Sequence, residues 1–202
     1  MISLHITSGD IAALIRSLSK TAGKPHFTSA AFERCGEINE IVIAARADEI
    51  PMYETLRKSY NINKLTAVVE GGDTRQESVL RGFERISDKA EFVAIHDGAR
   101  CLVTPEIISS VAREAYNWGA ATAASHASDT VKRADFRGFI EETVDRSSLW
   151  LASTPQIFGT DLYRAAAYTA KAEGFSATDD NMLAERVGFP VKLVDCGTDN
   201  IK

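Results

Sequence analysis

Residues 91–100 read "EFVAIHDGAR". Phe92, Val93, Ala94 and Ile95 form a short unbroken apolar run. Such a run reads as a strand buried on both faces, as in a parallel sheet. It ends abruptly in His96, Asp97, Gly98, Ala99 and Arg100. In open parallel sheets, ligands bind beyond the carboxyl ends of the strands. Asp97 alone has an equally good plain reading, as a solvated acid capping a turn. Gly98, which permits close approach, and Arg100 shift the balance toward a site, the acid suited to a divalent cation and the base to a phosphate.

Outward from this strand, "EIVIAA" (40–45) and "KLTAVVEGG" (64–72) read as two more buried strands, the second stopped by glycines. "DEIPMYETLRKSY" (48–60) reads as a helix between them. "TRQESVLRGFERI" (74–86) is a helix with Thr74 and Glu77 at capping-box spacing and an apolar stripe of Val79, Leu80, Phe83 and Ile86. "TPEIISSVAREAYNWG" (104–119) is a helix with Thr104 as N-cap and Pro105 at its first position. A weak strand (120–125), helices over 160–174 and 178–188, and a last strand, "VKLVDCG" (191–197), follow. Strands alternating with helices predict an α/β fold with a mostly parallel sheet covered on both faces. Residues 129–150 carry two β-like runs around "ADFRG" and predict an extended hairpin arm on a single domain spanning 1–202. "RSSLWLASTPQIF" (146–158) has no regular period and reads as a structured loop.

The 202-residue chain is 45% hydrophobic and 25% charged, with a net charge of −5. That is ordinary for a soluble globular protein and argues against general nucleic-acid binding. The longest early apolar run, "IAALI", is too short for a signal peptide or membrane span. Cys35, Cys101 and Cys196 are far apart with no CxxC pair, which fits a reducing cytoplasm and gives no zinc site. His5, His26, His96 and His126 are scattered and suggest no metal cluster.

"EGGDTRQES" (70–78) is the second candidate site. Gly71 and Gly72 let the backbone approach a ligand, and the following helix start is expected to offer free N–H groups to an anion. Asp179 and Asp180 in "TDDNML" read more simply as acids favoured at a helix N-terminus.

Taken in order, "VVEGGDTRQESVLRGFE", "VAIHDGARCLVTPEII", "DTVKR", "VDRSSLWLASTPQIF", "TDDNMLAE" and "VKLVDCGTDNIK" resemble the 2-C-methyl-D-erythritol 4-phosphate cytidylyltransferase family, from about Gly23 to Lys202. The resemblance implies a Rossmann-like nucleotidyltransferase fold and a cytoplasmic enzyme, with neither nucleic-acid nor membrane partners. It further implies a homodimer joined through the arm, and transfer of a cytidylyl group from CTP to 2-C-methyl-D-erythritol 4-phosphate with Mg2+. By position, Asp97 would bind the metal or the cytidylyl phosphate. Arg100 would contact the sugar phosphate, with Gly98 beside it. Gly71, Gly72, Asp73 and Ser78 would hold the nucleotide. Thr130 and Arg146 would reach into the neighbouring subunit's site, Thr154 would lie near the same substrate, and Lys202 would stabilise the α-phosphate.

The N-terminus departs from the family, whose first strand leads into a glycine-rich basic loop. Here "ISLHIT" (2–7) is expected to be that strand. After it come one glycine, Asp10 where a cation is wanted, and Lys20 at too short a spacing to be matched. Cys101 replaces a usual proline, and the sequence stops at Lys202. Two explanations stand: a sequence altered or incomplete at its ends, or a divergent relative that binds without catalysing. Slow CTP turnover is the expectation from either. A ribitol 5-phosphate cytidylyltransferase is the nearest alternative activity. A nucleotide-sugar glycosyltransferase would want an acid pair where Asp97 stands alone.

Overall fold

The structure, a computed structural model, describes residues 11–16 and 24–202, with side chains from residue 28 onward. Its elements in order are β1 (Ile11–Arg16), α1 (Lys24–Arg34), β2 (Ile38–Ala45), α2 (Ile50–Ser59), β3 (Leu65–Glu70), α3 (Arg75–Phe83), β4 (Phe92–Asp97), α4 (Pro105–Trp118) and β5 (Ala120–His126). There follow β6 (Lys132–Ala134), β7 (Ile140–Thr143), β8 (Trp150–Gly159), α5 (Thr160–Ala172), α6 (Asn181–Arg186) and β9 (Lys192–Asp195).

Seven strands form one sheet in the order β3-β2-β1-β4-β8-β5-β9. β8 runs antiparallel to both its neighbours, and every other neighbouring pair is parallel. The unbroken apolar runs of β2 and β4 split by period two onto the two faces. Ile41, Ile43, Phe92 and Ala94 pack with Phe32, Tyr53, Ile108 and Val111 from α1, α2 and α4. Val42, Ala44, Val93 and Ile95 pack with Val79, Phe83, Tyr163 and Leu183 from α3, α5 and α6.

The helix boundaries follow their caps. Thr74 Oγ1 accepts from the Glu77 N–H at 3.1 Å. Glu77 reaches back to the N–H of Asp73, one residue outside the usual capping-box partner. Thr104 Oγ1 accepts from the Ile107 N–H, and Gly119 ends α4 at φ 82°, a left-handed position that glycine takes without strain.

Two expectations need correction. The central β1 is Ile11–Arg16, and "ISLHIT" lies outside the described residues. A strand flanked on both sides by parallel partners calls for a continuous apolar run, and "IAALI" is one. The seven residues 17–23, Lys20 included, therefore connect β1 to α1 and also lie outside the described residues, as does Asp10.

The second correction is residues 150–159, which form a ten-residue strand in the middle of the sheet rather than a loop. Polar Ser153, Thr154 and Gln156 and the proline between them hide its strand character. Between the pairings Thr122↔Gln156 and Ala124↔Ala152, the three residues 153–155 oppose Ala123 alone, and the Thr154–Pro155 peptide is cis. This bulge releases Thr154 from the regular ladder. The arm is a two-stranded antiparallel ribbon of β6 and β7, as expected.

Candidate active site

The period-two alternation of β4 continues to its end. His96 faces α1, its ring centroid 5.1 Å from that of Phe32, while Asp97 faces α3. The register of β4 with β8 ends at Ile95↔Gln156. Beyond it, the Asp97 N–H finds a side chain instead of a ladder partner, the hydroxyl of Thr154, at 3.1 Å. That hydroxyl also lies 3.1 Å from His96 Nδ1, and His96 Nε2 lies 3.2 Å from the Arg100 carbonyl. A carbonyl can only accept, so Nε2 carries the proton and Nδ1 accepts from Thr154. Burial lowers the His96 pKa from 6.5 to about 4, which keeps this tautomer neutral. The strand end is thus locked by a chain running from the Arg100 carbonyl through His96 and Thr154 to the Asp97 backbone.

Asp97 itself is 5% exposed and sits between two cations. Lys202 Nζ donates to Oδ2 at 2.8 Å, and Arg75 Nε lies 3.7 Å from Oδ1. Arg75 also forms a 2.6 Å ion pair with Asp180, whose other oxygen accepts from the Tyr163 hydroxyl at 2.9 Å. Burial works against the Arg75 charge, but Asp180 and then Asp97 outweigh it, so its pKa is raised. Burial also raises the Asp180 pKa against the pull of Arg75. We read the pair as ionised, since a 2.6 Å contact between buried opposite charges is what lets both stay charged.

Arg100 donates to the Asn200 carbonyl at 2.7 Å, and Asn200 Nδ2 donates to the Thr154 carbonyl at 2.7 Å. The C-terminal "DNIK" segment is thereby laid across the end of β4, which brings Lys202 to Asp97. Arg100 Nε is buried without a protein partner among the described residues. Burial lowers the Arg100 pKa, with Asp97 opposing.

The loop before α3 is held by hydrogen bonds of its own and to the start of α3. The N–H groups of Gly71, Gly72, Asp73 and Glu77 donate to Ala45 O, Ser78 Oγ, Glu77 Oε2 and Thr74 Oγ1 respectively. None of these four is left for an anion. Ser78 is buried and ties the loop to α3, its hydroxyl also donating to the Thr74 carbonyl at 2.8 Å. The two glycines are required by packing. A Cβ at Gly72 would come within 2.4 Å of Glu77 Cβ, and one at Gly71 within 2.8 Å of Ser78 Oγ. Asp73 is exposed at the loop's tip. A cavity of about 590 Å3 flanks this loop between α3 and the end of α5, lined by Asp73, Thr74, Glu77, Arg81 and Lys171 among others, but not by Asp97, Arg100 or Lys202.

Of the residues expected from sequence, the structure joins Asp97, Gly98, Arg100, Thr154 and Lys202 at one strand end. Gly98 is buried there, its carbonyl accepting from Thr28 Oγ1 at 3.3 Å. Thr130 and Arg146 lie exposed on the arm, outside that network, with Arg146 donating to the Ser128 carbonyl. Arg75 and Asp180 were missed. The dipole reading holds for Asp179, whose carboxylate accepts from the Met182 N–H at 3.1 Å, but Asp180 turns inward to Arg75.

A magnesium-type cation takes one or two carboxylates and fills its remaining positions with water and substrate phosphate oxygens. One buried carboxylate at a strand end fits that need. No group of three or more His, Cys, Asp or Glu side chains among the described residues forms an all-protein cage. No helix among them is long and apolar enough to cross a membrane.

Comparison with known proteins adds to this geometry. Residues 17–202 match the family model for 2-C-methyl-D-erythritol 4-phosphate cytidylyltransferase. The chain is 40% identical over 204 residues to the protein of that name from Caldanaerobacter subterraneus subsp. tengcongensis, covering 98% of this chain and 90% of the relative. It is 44% identical over 161 residues to that of Parasynechococcus marenigrum, covering 80% of this chain and 70% of the relative. Among solved structures, 4-diphosphocytidyl-2C-methyl-D-erythritol synthase from Anaerococcus prevotii superposes with a TM-score of 0.88 at 26% identity, covering 96% of this chain and 90% of that one. The Thermus thermophilus cytidylyltransferase gives 0.79 at 29% identity, covering 96% and 92%.

Proposed function

This chain belongs to the 2-C-methyl-D-erythritol 4-phosphate cytidylyltransferase family, and we propose from that premise how its residues divide the work. The reaction moves a cytidylyl group from CTP to 2-C-methyl-D-erythritol 4-phosphate. A phosphate oxygen of the acceptor attacks the α-phosphorus of CTP, and the bond from that phosphorus to the bridging oxygen breaks. Pyrophosphate leaves, and 4-diphosphocytidyl-2-C-methyl-D-erythritol is the product. The attacking oxygen is already anionic, so no nucleophilic side chain is needed. Positioning and charge neutralisation carry the catalysis.

The observation that carries this reading is the buried Asp97 between Arg75 and Lys202 at the carboxyl end of β4. In this reading Lys202 neutralises the α-phosphate, supported by its position beside Asp97. Arg100, with a buried Nε turned to no protein acceptor among the described residues, is the sugar-phosphate contact. Thr154 and Gly98 shape that side, and Thr154 also aligns Asp97. Gly71, Gly72, Asp73 and Ser78 form the nucleotide side, with exposed Asp73 the residue free to reach a ligand. A Mg2+ ion on Asp97, when bound, supplies further neutralisation at the phosphates.

We further infer one nucleotidyltransferase domain whose arm, residues 129–150, joins two copies and carries Thr130 and Arg146 to the neighbouring site. Phe136, Phe139 and Ile140 support this, at 97%, 67% and 66% exposed on a ribbon too small to bury them. A cytoplasmic location accords with the reaction's water-soluble nucleotide and sugar-phosphate substrates.

Pyrophosphate release with CTP and Mg2+ tests the reading, comparing 2-C-methyl-D-erythritol 4-phosphate with ribitol 5-phosphate as acceptor. Release with the methylerythritol acceptor is expected. Preference for ribitol phosphate would transfer the assignment to that alternative, and release with neither would leave only binding.

A further inference from the structure

We propose that Lys202 is the resting counter-ion of Asp97, and that Lys202 and a divalent cation exchange on that carboxylate. The proposal rests on the reading that Asp97 takes the metal.

A carboxylate as buried as Asp97 needs cationic neighbours to stay ionised. Among the described residues it has two, Arg75 and Lys202, and they differ in freedom. Arg75 is 21% exposed and locked by its 2.6 Å pair with Asp180, which the Tyr163 hydroxyl holds in turn. Lys202 is 47% exposed, and Asp97 is its one ion-pair partner among the described residues. An ammonium on a flexible four-carbon stem is strongly hydrated and is released into water at small cost, whereas a guanidinium held at both ends is not.

Both candidates for Oδ2 are cations. A divalent ion coordinated there cannot share the oxygen with an ammonium 2.8 Å away without strong like-charge repulsion. Cation arrival therefore expels Lys202, while Arg75 keeps its place on the Oδ1 side. The expelled ammonium emerges beside the carboxylate that holds the cation, where phosphate charge gathers. One buried acid thus sets an order: the cation first, then the lysine free for the phosphates.

The test uses the full chain without nucleotide. Mn2+ binding is measured by electron paramagnetic resonance for wild type, K202M, K202R and D97N. Acylation of Lys202 is followed by mass spectrometry with and without Mg2+, with Lys132 on the arm as internal reference. Removing a half-exposed competing charge is expected to tighten Mn2+ binding about fivefold in K202M, while K202R stays near wild type. Mg2+ alone is expected to raise Lys202 acylation severalfold relative to Lys132. If K202M binds Mn2+ no tighter than wild type, or Lys202 acylation is unmoved by Mg2+, the exchange is refuted. If D97N binds Mn2+ as well as wild type, the metal reading of Asp97 fails, and the exchange falls with it.

Discussion

At the residue scale, His96 shows how a site can be held by a group that never meets substrate. Its neutral ring accepts from Thr154, whose hydroxyl in turn accepts from the Asp97 N–H. Protonating Nδ1 would turn that acceptor into a donor and break the chain. The folded-state pKa of about 4 lies below the unfolded value of 6.5. Between those values the unfolded chain binds the extra proton and the fold does not. Stability is therefore present above pH 6.5, and falls as the pH drops toward 4, by about 3 kcal/mol from this residue. Urea unfolding of wild type and H96Q at pH 7 and pH 4.5 checks this. The stability difference between the two proteins should change with pH in favour of H96Q at the acid end. Parallel pH profiles would remove His96 from the account.

Arg75 belongs to the same scale. It is absent from the site residues expected from sequence, although it stands at the start of a helix. A cation in a first helical turn opposes the macrodipole, and that local misfit was the available signal that it serves something else. Asp180 gave the opposite impression, because an acid before α6 suits the dipole and so looked explained. Only the fold shows that the two meet, 105 residues apart in sequence.

At the element scale, what could be read depended on whether an element's logic is local. β4, α3 and α4 carry their own apolar pattern and caps, and they sit where the sequence puts them. β8 does not, since its buried Thr154 and Gln156 are satisfied by His96 and Asp180 from distant segments. No period within "LASTPQIF" could reveal those partners. β1 was displaced because two apolar runs competed for one role, and the choice lay in the pairing with β2 and β4 rather than in either run.

The loop before α3 makes a prediction at this scale. Its glycines serve close packing, with the N–H groups of Gly71 and Gly72 already spent. A methyl group at Gly72 meets Glu77 Cβ at 2.4 Å, so α3 and the loop must move apart. Overpacking of this kind costs about 1–3 kcal/mol. G72A should lose stability by that amount in thermal or urea unfolding, and should weaken CTP binding measured by calorimetry more than acceptor binding. A G72A protein with unchanged CTP affinity would separate this loop from the nucleotide.

At the scale of the whole molecule, the site as described is one-sided. Asp97, Arg100 and Lys202 gather at one strand end, while Arg146 and Thr130 stand exposed on the arm, outside that network. The same arm exposes Phe136, Phe139 and Ile140. A two-fold dimer would answer both facts at once, covering the apolar ribbon and bringing each arm to the other copy's strand end. This arrangement makes a demand that no monomer can meet. Arg146→Ala should spoil the site that its arm enters, and Asp97→Asn should spoil the site of its own chain. Each variant alone is expected to be nearly inactive, since losing one preorganised charge at such a centre costs about 10²–10³ in rate. In a mixed dimer, both defects fall in the same site and the other site is intact. Unfolding the two variants together and refolding them as an equal mixture should therefore restore roughly a quarter of wild-type activity, because half the dimers are mixed and each holds one good site. Sedimentation should show dimers throughout. If the mixture stays as inactive as its parts while dimers form, Arg146 acts within its own subunit, and the arm joins the copies without completing their sites.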